Sequence, residues 1–354
     1  MELEIILKNI FSQFNVASSF KGFQIFSSGH INDTYLIITD TKPYFVMQKI
    51  NSFVFKEAAA VIDNKFKITN YLKDKKQTTL QYITTKNNKN YLIDEDGNFW
   101  NLCLFIENSE TFLHVNSTKI ALEAGKATGS FLVSVNDFSE QLNEVLPNFH
   151  NMTFRFSQFN KALIKASPER KKQAKEWIDF VLNNKEEMCA LDYAIADNKI
   201  PLRVTHNDTK ISNILFDENQ NAICLIDLDT VMLGAVHFDY GDAVRTICNT
   251  VNEDETDISK IKFDFDYFKS YTQGFIETIK NSLNKNEVDF LPISPQIITF
   301  IIGLRFLTDF LNNDVYYQTK YDNHNLDRAK NQLTLVKEIK KCQNKITQFI
   351  KEQI

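Results

Sequence analysis

The run His206-Asn207-Asp208-Thr209-Lys210-Ile211-Ser212-Asn213 has the form H-x-D-x-x-x-x-N, with a lysine two residues after the aspartate. Residues of these types at this spacing suit the transfer of a phosphoryl group to an alcohol. Asp208 can receive the proton of the acceptor hydroxyl, Lys210 can neutralise the transferred phosphate, and Asn213 can offer an amide oxygen to a metal ion. Fourteen residues beyond Asn213 the apolar run Leu225-Ile226 ends in Asp227-Leu228-Asp229. Two carboxylates at a strand end can chelate a hard cation that keeps some of its waters and bridges nucleotide phosphates, so Asp227 and Asp229 join Asn213 as candidate ligands for Mg2+. The bland alternative is that Asp208 and Asn213 form a turn and that Asp227 and Asp229 merely end a strand. Either half alone is weak; together, at this separation, they favour a site that uses ATP and magnesium.

These groups need a scaffold. Strand-like runs at Phe23–Phe26, Thr34–Ile38 and Tyr44–Met47 are followed by apolar residues at helical spacing over Phe55–Leu72. Two more strands, Tyr91–Ile93 and Trp100–Ile106, flank an Asp96-Gly97 turn. After Glu107 long helical patterns take over: Thr118–Val135, Pro168–Asn183, Phe263–Asn281, Gln296–Leu311 and Leu326–Phe349. Short strands at Leu202–Val204, Ile214–Phe216 and Ala222–Ile226 bracket the candidate site. This order predicts an α+β chain of two lobes, a small antiparallel sheet lobe over residues 1–106 and a larger, mainly helical lobe over 107–354. A length of 354 residues agrees, since a single core stops growing at roughly 250–300 residues.

In the first lobe Lys49 ends a strand, where a phosphate-holding lysine is expected, and Asp63 lies fourteen residues on in the following helix as its ion-pair partner, with Glu57 as the rival. The turn after the first strand has one glycine, Gly29, so Ser27, Ser28 and backbone N–H groups would have to cradle the phosphates. Adenine is expected near Phe105–Glu107.

These residues resemble the aminoglycoside phosphotransferase and choline kinase superfamily, through the loop His206–Asn213 and the pair Ile226-Asp227. The resemblance implies a protein-kinase-like fold with ATP between the lobes, Asp208 as catalytic base, Asn213 and Asp227 on magnesium, and Lys210 on the γ-phosphate. It also implies that Asp239 or Asp242, in Phe238-Asp239-Tyr240-Gly241-Asp242, braces the loop. Further segments, among them Gly29–Tyr35, Val46–Asn51, Thr205–Lys210, Ile226–Met232, Arg305–Asp309 and His324–Ala329, are similar to the N-acetylhexosamine 1-kinase family over nearly the whole chain. That likeness implies phosphorylation of the anomeric hydroxyl of N-acetylglucosamine or N-acetylgalactosamine, with acceptor contacts from His30, Thr230, Arg305 and Tyr316. Leu233 departs from the proline the family has after Met232 and removes no reactive group. Rival readings are a kinase for choline, an amino alcohol or an aminoglycoside, and an inactive nucleotide-binding protein. The last is disfavoured because Asp208, Asn213 and Asp227 are all present.

A formal charge of −5 argues against a nucleic-acid partner. Five cysteines without a Cys-x-x-Cys pair argue against a zinc ribbon or a disulfide framework, and a reducing cytoplasm fits them. The N-terminus lacks the pattern of a signal peptide, and the apolar run Ile297–Leu307, interrupted by Arg305, falls short of the roughly 20 residues that span a bilayer. A monomer whose partners are ATP and a small sugar is expected.

Overall fold

The computed structural model describes residues 2–26 and 31–354. A six-stranded antiparallel sheet is built from β1 (Phe20–Ile25), β2 (Asp33–Thr39), β3 (Phe45–Lys49), β4 (Tyr82–Ile83), β5 (Leu92–Ile93) and β6 (Phe99–Leu104). Its order is β1-β2-β3-β6-β4, with β5 also on β6. Because side chains alternate along a strand, the sheet has two distinct faces. Tyr35, Ile37, Phe45, Met47, Trp100 and Leu102 make one core with Leu7, Ile10 and Phe11 of α1 (Glu2–Phe11). The other face meets α2 (Ala58–Asp74), whose Val61, Ile62 and Phe66 pack with Ile50 and Phe55. The β5–β6 turn is fixed by Asp94, which accepts from the N–H groups of Asp96 (3.1 Å) and Asn98 (2.8 Å) and from the Trp100 indole (2.8 Å), with Gly97 at φ 82°.

The chain leaves β6 through residues 105–108 and enters the helical part by β7 (Ser109–Glu110), which pairs with β9 (Ile214–Asp217). β9 pairs with β10 (Ala222–Leu225), and β8 (Arg203–Thr205) pairs with β11 (Met232–Gly234). Around these ribbons lie α3 (Thr118–Ser134), α4 (Met152–Lys165), α5 (Pro168–Gln173), α6 (Lys175–Asn183), α7 (Lys185–Met188), α8 (Ala190–Ala196), α9 (Val236–Ile247), α10 (Phe265–Ile279), α11 (Lys285–Phe290), α12 (Ser294–Leu311), α13 (His324–Lys341) and α14 (Gln343–Gln353). α3 and α10 approach closely through Gly125 and Gly274: a Cβ on Gly125 would strike the Tyr271 carbonyl, and one on Gly274 the Leu122 carbonyl. The run Lys285–Leu311 is long and apolar enough to cross a membrane by length and composition, yet 78% of its most apolar window is buried in the fold, so it is the core helix of this lobe.

Two expected helices are broken. Pro168–Asn183 divides at Ala174 (φ −98°, ψ 6°), and the expected C-terminal helix Leu326–Phe349 divides at Cys342 (φ −93°, ψ −1°). α1, α4 and α9 are additions to the elements expected from sequence. All five cysteines are free thiols. Of the eleven non-glycine residues with positive φ among the described residues, seven are asparagines, so in a chain with only 9 glycines asparagine takes over much of the left-handed turn geometry.

Candidate active site

The loop from His206 to Asn213 leaves β8, crosses the mouth of the helical part and enters β9 through a 3-10 turn, Ile211–Asn213. It is held from below by Asp239 on α9, whose carboxylate accepts from the backbone N–H of His206 (2.9 Å) and of Asn207 (2.6 Å); the Asp239 carbonyl accepts from the Thr209 hydroxyl (2.5 Å). Burial pushes the Asp239 carboxyl up to about 6 against the pull of His206 and the two N–H bonds. Asp239 is therefore the bracing residue of the two considered. Asp242 instead pairs with Arg245 at 2.8 Å.

His206 donates Nε2–H to the Ile226 carbonyl (2.9 Å) and accepts from the Asp208 N–H at Nδ1 (3.3 Å), since a carbonyl can only accept. It joins the loop to the backbone just before Asp227, with both ring nitrogens engaged. Asn207 sits in the left-handed region (φ 65°), with its amide donating to the Thr230 carbonyl at 3.0 Å. Gly234 on β11 is obligatory here, because a Cβ would collide with the Thr205 hydroxyl and lie 2.6 Å from Asn207 Oδ1.

Asp208 presents a partly exposed carboxylate (27%). Lys210 Nζ lies 2.9 Å from its Oδ2, and Asn213 Nδ2 donates to the same oxygen and to the Asp208 carbonyl, both at 2.8 Å. Burial works to raise the Asp208 carboxyl, but the Lys210 ammonium outweighs it and holds the group below the usual carboxylate range. Burial works to lower Lys210, and the Asp208 and Asp227 carboxylates win, raising it above the ordinary lysine value. Asp227 follows β10 in the left-handed region (φ 59°, ψ 55°), which aspartate, like asparagine, adopts more readily than other non-glycine residues. Its carboxyl is pushed up to about 7, first by burial and then by the negative charge of Asp229, with Asp208 adding.

Among the described residues no group of three His, Cys, Asp or Glu side chains forms a ready metal cage. The donor set nonetheless fits a magnesium ion that arrives with nucleotide phosphates and keeps waters. Asn213 spends its N–H groups on Asp208 and its Oδ1 accepts no bond among the described residues, so an amide oxygen is free beside the Asp208 carboxylate.

Asp229, expected beside them as a metal ligand, is committed elsewhere. One carboxylate oxygen pairs with Lys65 Nζ and the other accepts from Asn32 Nδ2. Nor does the fold bring Lys49 to this cluster. Its ammonium lies 2.7 Å from Asp33, its cross-strand neighbour, and over the Trp100 ring on the face that α1 covers. Neither Asp63 nor Glu57 pairs with it; Asp63 accepts from Asn90 (2.9 Å). The sequence held a signal for this, since Phe45, Met47 and Lys49 share one parity and Val46 and Gln48 the other.

Phe105 stacks on Phe26 (centroids 6.4 Å apart) at the passage between the two parts, and Glu107 is ion-paired with Lys42. Ser28, Gly29 and His30 lie outside the described residues. Thr230 donates its hydroxyl to the His206 carbonyl (2.7 Å) and is buried. Arg305 has no carboxylate partner among the described residues. Its guanidinium packs over Phe149 (5.3 Å), Tyr317 (5.6 Å) and Tyr316 (6.0 Å), while Asp309, the acidic neighbour that could have taken it, accepts from the N–H groups of Val315, Tyr316 and Tyr317. This cluster abuts the loop through His150, which contacts Phe149 (4.3 Å) and donates to the Asn207 carbonyl (2.9 Å). Burial, helped by Arg305 and Arg155, lowers His150 to about 3. His150, Arg155 and Tyr317 were missed in the sequence, where nothing links them to Asp208.

A model described as the phosphotransferase enzyme family matches residues 22–258, which include most of the sheet, the His206–Asn213 loop and Asp227. The chain belongs to that family. Among solved structures this phosphotransferase-family chain is similar to an aminoglycoside phosphotransferase from Alicyclobacillus acidocaldarius (TM-score 0.64, 11% identity, 97% of this chain and 96% of that one). It is also similar to the amicoumacin kinase hAmiN in complex with AMP-PNP, Ca2+ and Ami (TM-score 0.63, 11% identity, 93% and 92%). A third is choline kinase from Cryptosporidium parvum Iowa II (TM-score 0.60, 14% identity, 98% and 97%). At these identities the likeness carries the fold, and it establishes the expected α+β protein-kinase-like architecture. The family also gives the class of activity, phosphotransferase.

Proposed function

We propose that this chain transfers the γ-phosphoryl group of ATP to a neutral sugar, at the anomeric hydroxyl of an N-acetylhexosamine. The observation that carries the reading is the unpaired Arg305 on its platform of Phe149, Tyr316 and Tyr317, beside the loop that bears Asp208. A choline or aminoglycoside acceptor needs aromatic faces or carboxylates turned toward a cation. Here a guanidinium already lies over those faces, and Arg155, which donates to the Phe149 carbonyl at 2.8 Å, adds a second positive charge. Such a surface repels a cationic acceptor and offers donors to hydroxyl and acetamido oxygens.

In this reading Asp208 aligns the sugar hydroxyl and takes its proton. Its low pKa keeps it ionised at neutral pH, so its part is chiefly positioning. Lys210, already on Asp208, meets the transferred phosphoryl group as charge develops. Asn213 Oδ1 and Asp227 would hold magnesium, which would supply charge neutralisation for the nucleotide phosphates. The nucleotide base lies near Phe105–Glu107.

The test is ATP consumption across N-acetylglucosamine, N-acetylgalactosamine, glucosamine, galactose, choline and kanamycin, with Asp208→Asn as control. Turnover on an N-acetylhexosamine that vanishes in the control supports the reading. Activity confined to choline or kanamycin sinks it.

A further inference from the structure

In kinases of this fold a lysine on the third strand holds the nucleotide phosphates and pairs with a glutamate on the next helix. Here the charges are arranged differently. The β3 side chain on the α2 face at this point is Gln48, an amide without charge, while Lys49 is turned to α1 and bound to Asp33. The cation comes from the helix. Lys65 of α2, only 1% exposed, donates to Gln48 Oε1 (2.8 Å) and forms a buried ion pair with Asp229, two residues beyond Asp227. Its neighbour Asn64 reaches the same segment, donating to the Val231 carbonyl at 2.9 Å. A bare ammonium is not buried this deeply without a partner, and the partner it has lies two residues from Asp227.

We propose that Lys65 is the positioning residue for nucleotide in this chain, replacing a β3 lysine: it cancels the charge of Asp229 where phosphates approach and fixes Asp227 through the loop they share. The inference rests on the phosphotransferase activity and not on the identity of the acceptor.

The experiment is calorimetric binding of ATP in EDTA, which needs neither acceptor nor metal, followed by KM for ATP and for the acceptor. Lys65→Met leaves Asp229 uncompensated and is expected to weaken ATP binding about 10- to 100-fold, the size of one charge-assisted contact, while the acceptor KM stays within about 3-fold. Asp229→Asn leaves the Lys65 charge free for phosphate, so ATP binds at least as tightly as to the natural chain. A structural pair with no electrostatic role predicts that both variants weaken ATP binding alike, and that result overturns the proposal. So does a loss carried by Lys49→Met in place of Lys65→Met. Should a single variant fail to fold, Lys65→Met/Asp229→Asn removes both buried charges, which is better tolerated than removing one. It is expected to bind metal-free ATP like the natural chain but to need about tenfold more Mg2+ for half-maximal turnover; an unchanged Mg2+ requirement refutes the positioning role. A silent acceptor panel would leave these binding results standing, so the two readings fail separately.

Discussion

Replacing Asp239 by asparagine changes one oxygen into an NH2 group and leaves the shape alone. In the structure both carboxylate oxygens are used, one on the His206 N–H at 2.9 Å and one on the Asn207 N–H at 2.6 Å. An asparagine can accept only one of these, and its amide nitrogen then faces the other backbone N–H, donor against donor. One charge-assisted bond is lost, at about 1.5–3 kcal/mol, and one buried N–H is left unmatched, at about 1–3 kcal/mol. Part of this is returned because the natural carboxylate is itself strained by burial, which pushes it up to about 6. A net loss of about 2–4 kcal/mol is expected on these terms. The loop carries Asp208, and displacements near 1 Å can cost about 100-fold in rate. We expect Asp239→Asn to lower kcat by about 100-fold or more with both KM values within about 3-fold, and to move the urea midpoint down by the same 2–4 kcal/mol divided by the m-value. The assays are steady-state ATP consumption and urea unfolding followed by circular dichroism. A variant with natural kcat and midpoint, or an Asp242→Asn variant that loses more activity, would refute the bracing role.

Three other outcomes are expected. Arg305→Leu should raise the acceptor KM by about 10-fold or more and leave the ATP KM alone, because it removes donors from the acceptor side only; equal effects on both substrates would remove Arg305 from the acceptor pocket. Gly234→Ala should cut kcat by about 10-fold or more, since the added methyl collides with the Thr205 hydroxyl and crowds Asn207; kinetics and a melting temperature like those of the natural chain would show that the ribbon yields. His237 is buried with Nε2 on the Glu287 carbonyl (2.8 Å), and burial lowers it from 6.5 to about 4. Its folded pKa lies below the unfolded one, so its stabilising contribution is complete above about 6.5 and is lost as pH falls toward 4. Between pH 7 and 5.5 it should cost about 1 kcal/mol relative to His237→Gln, read as the difference in urea-midpoint shift; parallel shifts in the two proteins would contradict a neutral buried imidazole.

The meeting of Asp208, Lys210 and Asn213 was legible because it is local: they lie within six residues and come together whatever the rest of the chain does. The strand-rich start and helix-rich remainder were legible through periodicity, and the Asp96-Gly97 hairpin through turn chemistry. What failed were assignments that needed a third dimension. Lys49 and Asp63 have a workable separation in sequence, but the parity of β3 turns Lys49 toward α1. Asp229 has a ligand's spacing, yet Lys65, 164 positions earlier, claims it. α1 was missed because its acidic, apolar sequence was weighed only as a leader, although Leu7, Ile10 and Phe11 form a buried stripe. His150 and Arg155 reach the site only through tertiary contacts, which no single window of sequence contains.

Kinases that are switched on and off often move the helix after the third strand in and out of register with the active site. In this chain that helix is fastened to the segment after β10 by Lys65 on Asp229 and by Asn64 on Val231, both buried, and to the exposed Asn143 by a second bond from Asn64. Swinging it away would break the buried ion pair and these amide bonds together. The helix is thereby tied directly to the segment that carries Asp227, and the two parts of the fold share one buried polar seam.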